Sequence, residues 1–483
     1  MNATRRMPRG FVPHLPLARS FDSRSLQRRG VVRTGRDGRE QGIALIIAIT
    51  AVTILAALLA DLHETTGSAY ATSASQRDSL RAEYMAKSGL NLTRLLVANE
   101  PAIRQVVLPI YQAMVGRPPP QLPIWSYADM LLRPFCRNDR EGVAARQELE
   151  ADGEPPEVPF DFSNSEGLDT TPGRCEILAL AENSKINVNQ PLSLTGDDAR
   201  RSVAMQVFAM VGGYQQPSPF DPLFGREDAD GQFSSRQDII SSMIDWWDPD
   251  TDQTSFDPGA GTVASQGSED NPYRRLDDPY EPKNAAFDSL EELRLVRGVG
   301  DDFWATFIEP VQDDPAARAV TIYGSGAVNP NEAPPEVLLA RLCSIIATQT
   351  LCTDPGEMAK FIQLVNTARS IIQVPFFTRA GDFLNFLEGR GGSRDLYPML
   401  RGFLGADSPL LFLPVTIPQE ARAELDRSFV TAARILTIRV TGSSGRARVR
   451  LNTVMNFHDR WTPPPPNGGA MPGLGIFHYY RVD

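Results

Sequence analysis

The sequence has few of the residues, and none of the short motifs, on which most enzymes depend. Its 483 residues include four histidines and four cysteines, with no CxxC pair and no HExxH. Zinc-ribbon, thioredoxin-like and zinc-peptidase chemistry are therefore excluded. GxSxG, P-loop and GxGxxG motifs are also missing, so the usual nucleophile elbow and phosphate-binding loops do not occur. We expect a protein that is not an enzyme.

Acidic residues outnumber basic residues beyond the first 42 residues. That leader holds ten arginines and three acids, a net charge of +7, whereas the whole chain carries −11. The rest of the chain therefore carries −18. An acidic body is a poor partner for nucleic-acid phosphates, which need clustered lysine and arginine, but it is compatible with cation binding.

Charge is absent from residues 43–60, and proline is absent from residues 43–100. A helix over the first of these ranges would span about 27 Å, close to one bilayer core. Helical spacing of apolar residues continues beyond position 80. The pattern predicts one helix over 43–100 with a transmembrane part at 43–60. The arginines before it indicate that its start stays cytoplasmic and that the body lies outside the cytoplasm.

Three interpretations of this segment remain open. A cleavable secretion signal would use Ala69-Tyr70-Ala71, but that site lies well beyond the apolar run, after a polar stretch. A plain signal anchor is the simplest interpretation. In the third, a peptidase cuts after Gly42 on the cytoplasmic side and leaves Ile43 as a new N-terminus that begins the helix.

The body has strand-like regions that are far apart in sequence. Residues 175–189 alternate like a strand pair with a turn near Asn183 and Ser184, and residues 433–457 indicate a hairpin around Gly442–Gly445. We expect these strands to form one sheet against the N-terminal helix, with the residues between them as an insertion. The tail begins Pro/Gly-rich, and its last residues either add a strand or stay loose.

Residues 289–300 open with a capping box, Ser289 to Glu292, and close on Gly298 and Gly300. This resembles a helix-hairpin-helix turn, which elsewhere binds DNA phosphates. The alternative is that the two glycines simply let two helices reverse direction. The acidic surroundings favour that alternative.

Carboxylates are densest between residues 245 and 270. Neighbouring acids repel one another unless a cation intervenes, and Ca²⁺ prefers six to eight oxygen ligands. The spacing resembles an EF-hand at its start, but Gln253 and Gly259 stand where an EF-hand needs glycine and glutamate, so an EF-hand is excluded. On residue types alone, a solvated acidic loop is the favoured interpretation. The candidate ligands are Asp245, Asp248, Asp250, Asp252, Glu269 and Asp270.

The four cysteines allow two disulfides if the body is exported. Cys343 and Cys352 are close enough in sequence to close a small loop. Buried free thiols are the alternative.

A glycine before an apolar helix that continues into a soluble domain resembles the class III signal of type IV pilin-like proteins. Most of them have glutamate as the fifth mature residue, where this chain has Ile47. A carboxylate in lipid needs a partner, understood to be the amino terminus of a neighbouring subunit. The absence of this acid is typical of the K minor pseudopilins of type II secretion, in which no neighbour lies above.

The body extends the resemblance to the general secretion pathway protein K family. Its pattern DWxDxD…GAE…Y…Y…N is matched by Asp245, Trp246, Asp248, Asp250, Glu269, Tyr273, Tyr280 and Asn284. Ser268 and Pro272 depart from it, and the spacer at 253–266 is long. The resemblance implies that this domain binds calcium.

The resemblance also implies an α+β fold: a pilin-like long N-terminal helix on a small antiparallel sheet, with a large inserted helical domain of the SAM/helix-hairpin-helix kind. The expected divisions are a leader at 1–42, the helix at 43–100, a first part of the pilin-like domain at 101–195, the insert with its acidic loop at 196–325, a second helical segment at 326–420, C-terminal strands at 421–461 and a tail at 462–483.

The function implied is that of a non-enzymatic minor pseudopilin at the fibre tip. The prepilin peptidase would cut after Gly42 and methylate Ile43, and the protein would lie in the inner membrane with its body in the periplasm. The expected partners are minor pseudopilins I and J, the major pseudopilin, the peptidase and the inner-membrane platform, and no nucleic acid. The alternatives are a membrane-anchored helix-hairpin-helix protein that binds DNA during uptake, and a calcium-dependent hydrolase.

Overall fold

The computed structural model describes residues 38–136, 173–457 and 473–483. Within the second stretch, the description omits residues 190, 192–193, 227–232, 271, 275, 277, 372–374, 393–394 and 406–407. The predicted leader at 1–42 therefore lies mostly outside the described residues. The chain divides into two compact units, Met1–Thr72 and Ser73–Asp483.

The described elements alternate between helices and short strands. The α-helices are α1 Gly38–Ala98, α2 Glu100–Val115, α3 Ala128–Cys136, α4 Gly196–Met210, α5 Arg236–Trp247, α6 Asp301–Phe303, α7 Pro335–Ile346, α8 Thr350–Thr353, α9 Pro355–Ile371, α10 Ala380–Leu387, α11 Leu396–Leu404 and α12 Gln419–Ser428. The strands are β1 Arg174–Ala181, β2 Ile186–Asn187, β3 Asp252–Asp257, β4 Thr262–Ser268, β5 Val320–Thr321, β6 Ile435–Ser444, β7 Ala447–Asn456 and β8 Ile476–Val482.

Helix α1 agrees with the helix expected over 43–100, although it starts five residues earlier. In the first unit its apolar side chains face outward, and Ile43 and Ile47 are each 61% exposed. A run of uncharged, exposed apolar residues is what a lipid environment requires. Within the described part of the chain, α1 alone is long and apolar enough to cross a membrane, judged by length and composition.

In the second unit, α1 packs against an antiparallel sheet with the strand order β1-β6-β7-β8. The core between them joins Ala86 and Leu90 of the helix to Ile177, Ile438 and Val440 of the sheet. The predicted α+β class, a long N-terminal helix on a small antiparallel sheet, is confirmed.

Glycine permits the closest approach of α1 to the sheet. A Cβ on Gly442, within β6, would lie 2.0 Å from the carbonyl oxygen of Ala82 and 2.6 Å from the amide nitrogen of Ala86. On the helix side, a Cβ on Gly89 would lie 2.8 Å from Cys175 Sγ. Because the obstacles at Gly442 are backbone atoms, no side-chain rotation can make room there.

The predicted strand pair at 175–189 is wrong. β1 pairs with β6, and β2 pairs in parallel with β5 in a separate sheet. A 3₁₀ turn, Glu182–Ser184, separates them. The buried Glu182 carboxylate accepts hydrogen bonds from Lys185 Nζ (2.8 Å) and Thr437 Oγ1 (2.5 Å), which hold this turn beside β6. Alternation alone cannot distinguish a hairpin from a strand that turns into a second sheet.

The predicted hairpin at 433–457 forms as β6 and β7, but Gly442 lies inside β6 rather than in the turn. The chain reverses at Gly445, whose φ of 58° favours glycine. The open question about the tail is answered by β8, which pairs antiparallel with β7. The Pro/Gly-rich start of the tail, 462–472, lies outside the described residues.

The residues that follow β1 and precede β6 in the sequence form two further hydrophobic cores. One contains α4, α5, a 3₁₀-helix Leu290–Leu295, and α6 with the π-helical turn Trp304–Ile308 that follows it. The other contains α7 to α12. The insert expected to be helical also contains the β3–β4 hairpin, whose residues the sequence had presented as a long spacer. In β3, Thr254 and Phe256 face inward.

Both pairs of cysteines are disulfide-bonded. Cys343 and Cys352 join α7 to α8, and Cys136 and Cys175 join α3 to β1. The first pair is the one expected from its short spacing. None of the four cysteines remains a free thiol.

The glycine contact predicts that Gly442→Ala destabilises the protein by roughly 2–4 kcal/mol, because overpacking against backbone forces α1 and β6 apart. The measurement is chemical unfolding of the full chain in detergent. Gly402→Ala is the matched control: this helical glycine has nothing within 4 Å of an added Cβ, so a change of at most about 1 kcal/mol in the stabilising direction is expected. Unfolding of Gly442→Ala at the wild-type midpoint would contradict the packing described.

Candidate metal centre

The acidic region is positioned by α5 and by the β3–β4 hairpin. α5 begins with a capping box in which the Asp238 N–H donates to Ser235 Oγ (3.2 Å) and the Ser235 N–H donates to Asp238 Oδ2 (2.8 Å). Every residue from Ile239 to Trp247 is buried. This part of α5 is buried on all sides, so an acid in the last turn of the helix lies within the core.

Three carboxylates meet beyond the end of α5. Asp245 lies in its last turn, Asp248 immediately follows it, and Glu269 immediately follows β4. Their exposed fractions are 2%, 1% and 1%. One oxygen from each lies within 4.8 Å of the others. The hairpin makes this possible, because the pairing of Asp252 with Ser268 returns the chain to the helix end.

The site is rich in oxygen atoms and poor in donors. Both carboxylate oxygens of Glu269 are buried and have no hydrogen-bond partner among the described residues, and the same holds for Asn284 Oδ1. The amide nitrogen of Asn284 donates to the Asp250 carbonyl oxygen (2.7 Å), which fixes the Asn284 side chain there. Asp245 Oδ1 accepts the Thr254 N–H (2.7 Å). Buried oxygens without donors are the ligands that a hard cation prefers.

Burial with too little counter-charge raises the pKa of all three carboxyl groups. Burial raises the pKa of Asp245 to about 7, offset in part by hydrogen bonds from Thr254, and that of Asp248 to about 6, offset in part by Arg200. The pKa of Glu269 rises to about 8 because of burial and then the neighbouring negative charges, Asp245 first. At neutral pH the group therefore keeps protons unless a cation replaces them.

Arg200, on α4, is a member of the site that the sequence did not indicate. Its Nε lies 2.9 Å from Asp248 Oδ2, and its guanidinium also contacts the Asp250 carboxylate. Its side chain is 13% exposed. Arginine in the first half of α4 and aspartates after α5 are separated by some fifty positions, and no local pattern links them.

The six candidate ligands do not all come together. Asp245, Asp248 and Glu269 form the group, and Asp250 lies beside it, 39% exposed, paired with Arg200. Asp252 is exposed at the start of β3, and Asp270 forms an exposed ion pair with Arg274 (2.6 Å). Asn284 was noted as part of a sequence pattern but not as a ligand. Its buried oxygen makes it a better candidate than Asp252 or Asp270.

Aromatic side chains pack around Trp246, the residue that follows Asp245 in α5. The Trp246 ring stacks on Phe287 with centroids 6.3 Å apart, and it also contacts Tyr273 (6.2 Å) and Tyr280 (6.4 Å). These contacts hold the segment that follows Glu269 against α5.

Packing accounts for the first glycine of the turn at 298–300. Gly298 has a φ of 87°, and a Cβ there would lie 2.5 Å from Ile239 Cγ1 of α5. The segment before it is a 3₁₀-helix with the expected capping box between Ser289 and Glu292. The packing alternative thus has a contact to support it at Gly298, whereas an added Cβ at Gly300 would have nothing within 4 Å.

The residues expected to direct processing lie near the start of α1. Gly42, Ile43 and Ile47 are all helical, so the expected cut falls inside the helix rather than before it. The helical turn that begins at Gly38 precedes the cut.

Comparison with known families gives one match, and it covers the candidate site. Residues 184–308 match the family model described as type II secretion system (T2SS), protein K. The predicted resemblance to protein K is thereby confirmed over this region, which contains α4, α5, the hairpin and the three carboxylates.

Comparison with solved structures gives a weaker likeness. The chain is similar to a chain of the GspK–GspI–GspJ complex from the type 2 secretion system of enterotoxigenic Escherichia coli, with 11% identity and a TM-score of 0.36. The match covers 79% of this chain and 99% of that chain. No curated protein sequence matches this chain significantly.

The raised pKa values predict that the metal-free protein loses stability as the pH rises. The folded-state pKa values exceed the unfolded values near 4, so the native state binds more protons and the free energy of unfolding falls between about pH 4 and 8. Saturating Ca²⁺ should remove most of this fall, because the ionised carboxylates then have a counter-charge. The measurement is thermal unfolding of the full chain across this range, with calcium or with chelator.

Two double variants serve as the comparison. Asp245→Asn with Glu269→Gln should flatten the pH dependence and abolish the calcium response. Asp252→Asn with Asp270→Asn changes the same charge outside the group and should behave like the wild type. Stability that rises with pH in chelator would contradict the description of the site.

Proposed function

We propose that this chain, whose residues 184–308 match the family model of type II secretion system protein K, is a minor pseudopilin that helps to start the secretion fibre. The observation that carries the proposal is the protein K match, which falls on the domain inserted between two strands of the sheet beneath α1. An apolar helix and a folded body are the parts that a membrane-stored fibre subunit requires. Its role is structural, and we assign it no catalysis.

The proposed maturation uses the start of α1. The prepilin peptidase would cut after Gly42 and methylate the new amino group of Ile43. The protein would then lie in the inner membrane through residues 43–60, with its body in the periplasm. The ten arginines of the leader support this orientation.

The proposed position is the fibre tip. Ile47 stands where most pilin-like chains place an acid, and residues 43–60 contain no charged residue at all. An acid in lipid is expensive unless it is paired, so a subunit without a neighbour above it has no need of one. The width added by the insertion is also tolerated best where no subunit follows. By family resemblance, the partners are minor pseudopilins I and J, the major pseudopilin and the inner-membrane platform.

We further propose that the three-carboxylate group holds Ca²⁺. Asp245, Asp248 and Glu269 would supply charged oxygens and Asn284 Oδ1 a neutral one, and carbonyls or water would complete the six to eight ligands that Ca²⁺ prefers. Bound calcium would supply the positive charge that the buried acids lack. The residues themselves would then fix the end of α5, the hairpin and the following loop relative to one another.

The processing proposal predicts that Gly42→Ala leaves the precursor uncut, because the peptidase would no longer find its glycine. The chain is co-expressed with a prepilin peptidase, and the mature N-terminus is read by mass spectrometry. Gly38→Ala, one helical turn earlier, is the matched control and should be cut normally. An N-terminus at Asp61 or Thr72, or an uncut wild-type leader, would overturn the pseudopilin assignment.

The tip proposal predicts about one copy of this chain per fibre. Quantitative mass spectrometry of fibres sheared from cells should find this chain at the level of pseudopilins I and J and far below the major pseudopilin. Its deletion should abolish fibre formation. A copy number that grows with fibre length would place the chain along the shaft and contradict the proposal.

A further inference from the structure

Arg200 lies where a positive charge is needed in the acidic loop. Its Nε is 2.9 Å from Asp248 Oδ2, its guanidinium also contacts the Asp250 carboxylate, and its Nη1 is 3.5 Å from Asp197 on its own helix. One planar guanidinium therefore spans both aspartates of the loop. Arginine suits this role, because its fixed fork can hold two carboxylates at once.

Asp250, which pairs with Arg200, also makes hydrogen bonds that fix the loop between α5 and β3. Asp250 Oδ1 accepts the Asp252 N–H (3.0 Å), and its carbonyl oxygen accepts the side-chain amide of Asn284 (2.7 Å). Arg200 thus ties α4 to a loop that reaches the start of β3 and the segment around Asn284. These contacts fix the shape of the loop.

The Asp248 that Arg200 holds belongs to the three-carboxylate group. A cation bound by Asp245, Asp248 and Glu269 would share Asp248 with the guanidinium and would lie near a fixed positive charge. Even at the dielectric constant of bulk water, near 80, this repulsion weakens the binding of a divalent ion about 6 Å away by roughly tenfold, and burial of the site makes the loss larger. The same charge that orders the loop therefore opposes the ion.

We propose that Arg200 is a built-in counter-ion of this site. When no cation is bound, Arg200 pairs with the Asp248 and Asp250 carboxylates and keeps the loop folded. Its charge also lowers the affinity of the site for a divalent cation below what the oxygen ligands alone would give. This inference rests on the proposed calcium site and assigns Arg200 as a positioning residue, not a ligand.

The test compares Arg200→Gln with Arg201→Gln in the full chain in detergent. Arg201 is the next residue on α4, carries the same charge and is exposed. Within the part of the chain that the structure describes, Arg201 forms no ion pair with Asp248 or Asp250. Calcium affinity is measured by competition with a chromophoric chelator, and stability by thermal unfolding with and without calcium.

We expect Arg200→Gln to bind Ca²⁺ roughly tenfold more tightly, to melt at a lower temperature in chelator, and to gain more from calcium than the wild type. Arg201→Gln should stay within about threefold of the wild-type affinity, because an exposed charge is screened. Unchanged or weaker binding by Arg200→Gln would overturn the proposal.

Arg200→Lys separates charge from geometry and covers the case in which Arg200→Gln does not fold. It keeps the charge and loses the fork, so its calcium affinity should stay near the wild-type value while its melting temperature in chelator falls. A wild-type protein that binds no Ca²⁺ would refute the calcium site, and this inference with it. Normal wild-type binding with no difference between Arg200→Gln and Arg201→Gln would refute this inference alone.

Discussion

The contact of α1 with β6 at Gly442 is the constraint on which the rest of the second unit depends. The helix reaches the strand backbone only because no side chain stands between them. This contact places one hydrophobic face of α1 over strands that come from residues 174–181 and 435–482. Residues 182–434 must therefore leave the sheet and return to it between two adjacent strands. Residues 182–434 therefore form an insertion, because the pairing of β1 with β6 fixes both of its ends.

Polar contacts then join the insertion to the sheet. The buried Glu182 at its start accepts hydrogen bonds from Lys185 and from Thr437 of β6, and contacts Thr321 of β5. Near its middle, Asp313 forms ion pairs with Arg439 (3.1 Å) and Arg450 (2.6 Å) of the sheet. A buried carboxylate held in this way is costly to break, because its charge would be left without partners. The domain with the three-carboxylate group is thus attached by specific contacts in addition to the chain itself.

Local sequence patterns predicted the elements that are marked by consecutive residues. The uncharged run at 43–60 and the absence of proline predicted α1, and the alternation at 433–457 predicted β6 and β7. The prediction failed at 175–189. The alternation there does mark strands, but β1 and β2 pair with β6 and β5 and not with each other, since this pairing depends on the distant contacts of Glu182. It also missed the β3–β4 hairpin, because a solvent-facing strand of polar residues such as Thr262–Ser268 lacks the apolar alternation that marks a strand.

The sequence by itself determined the uncharged apolar run at 43–60 with Gly42 directly before it, and the concentration of acids between residues 245 and 270, because these are properties of consecutive residues. It determined the protein K resemblance through the same acids. Only the tertiary structure decided which acids meet. Asp245, Asp248 and Glu269 come together because the hairpin returns the chain to the buried end of α5, while Asp252 and Asp270 stay outside. Arg200 and Asn284 join them from distant positions, since burial requires counter-charge and oxygen ligands from wherever the fold can bring them.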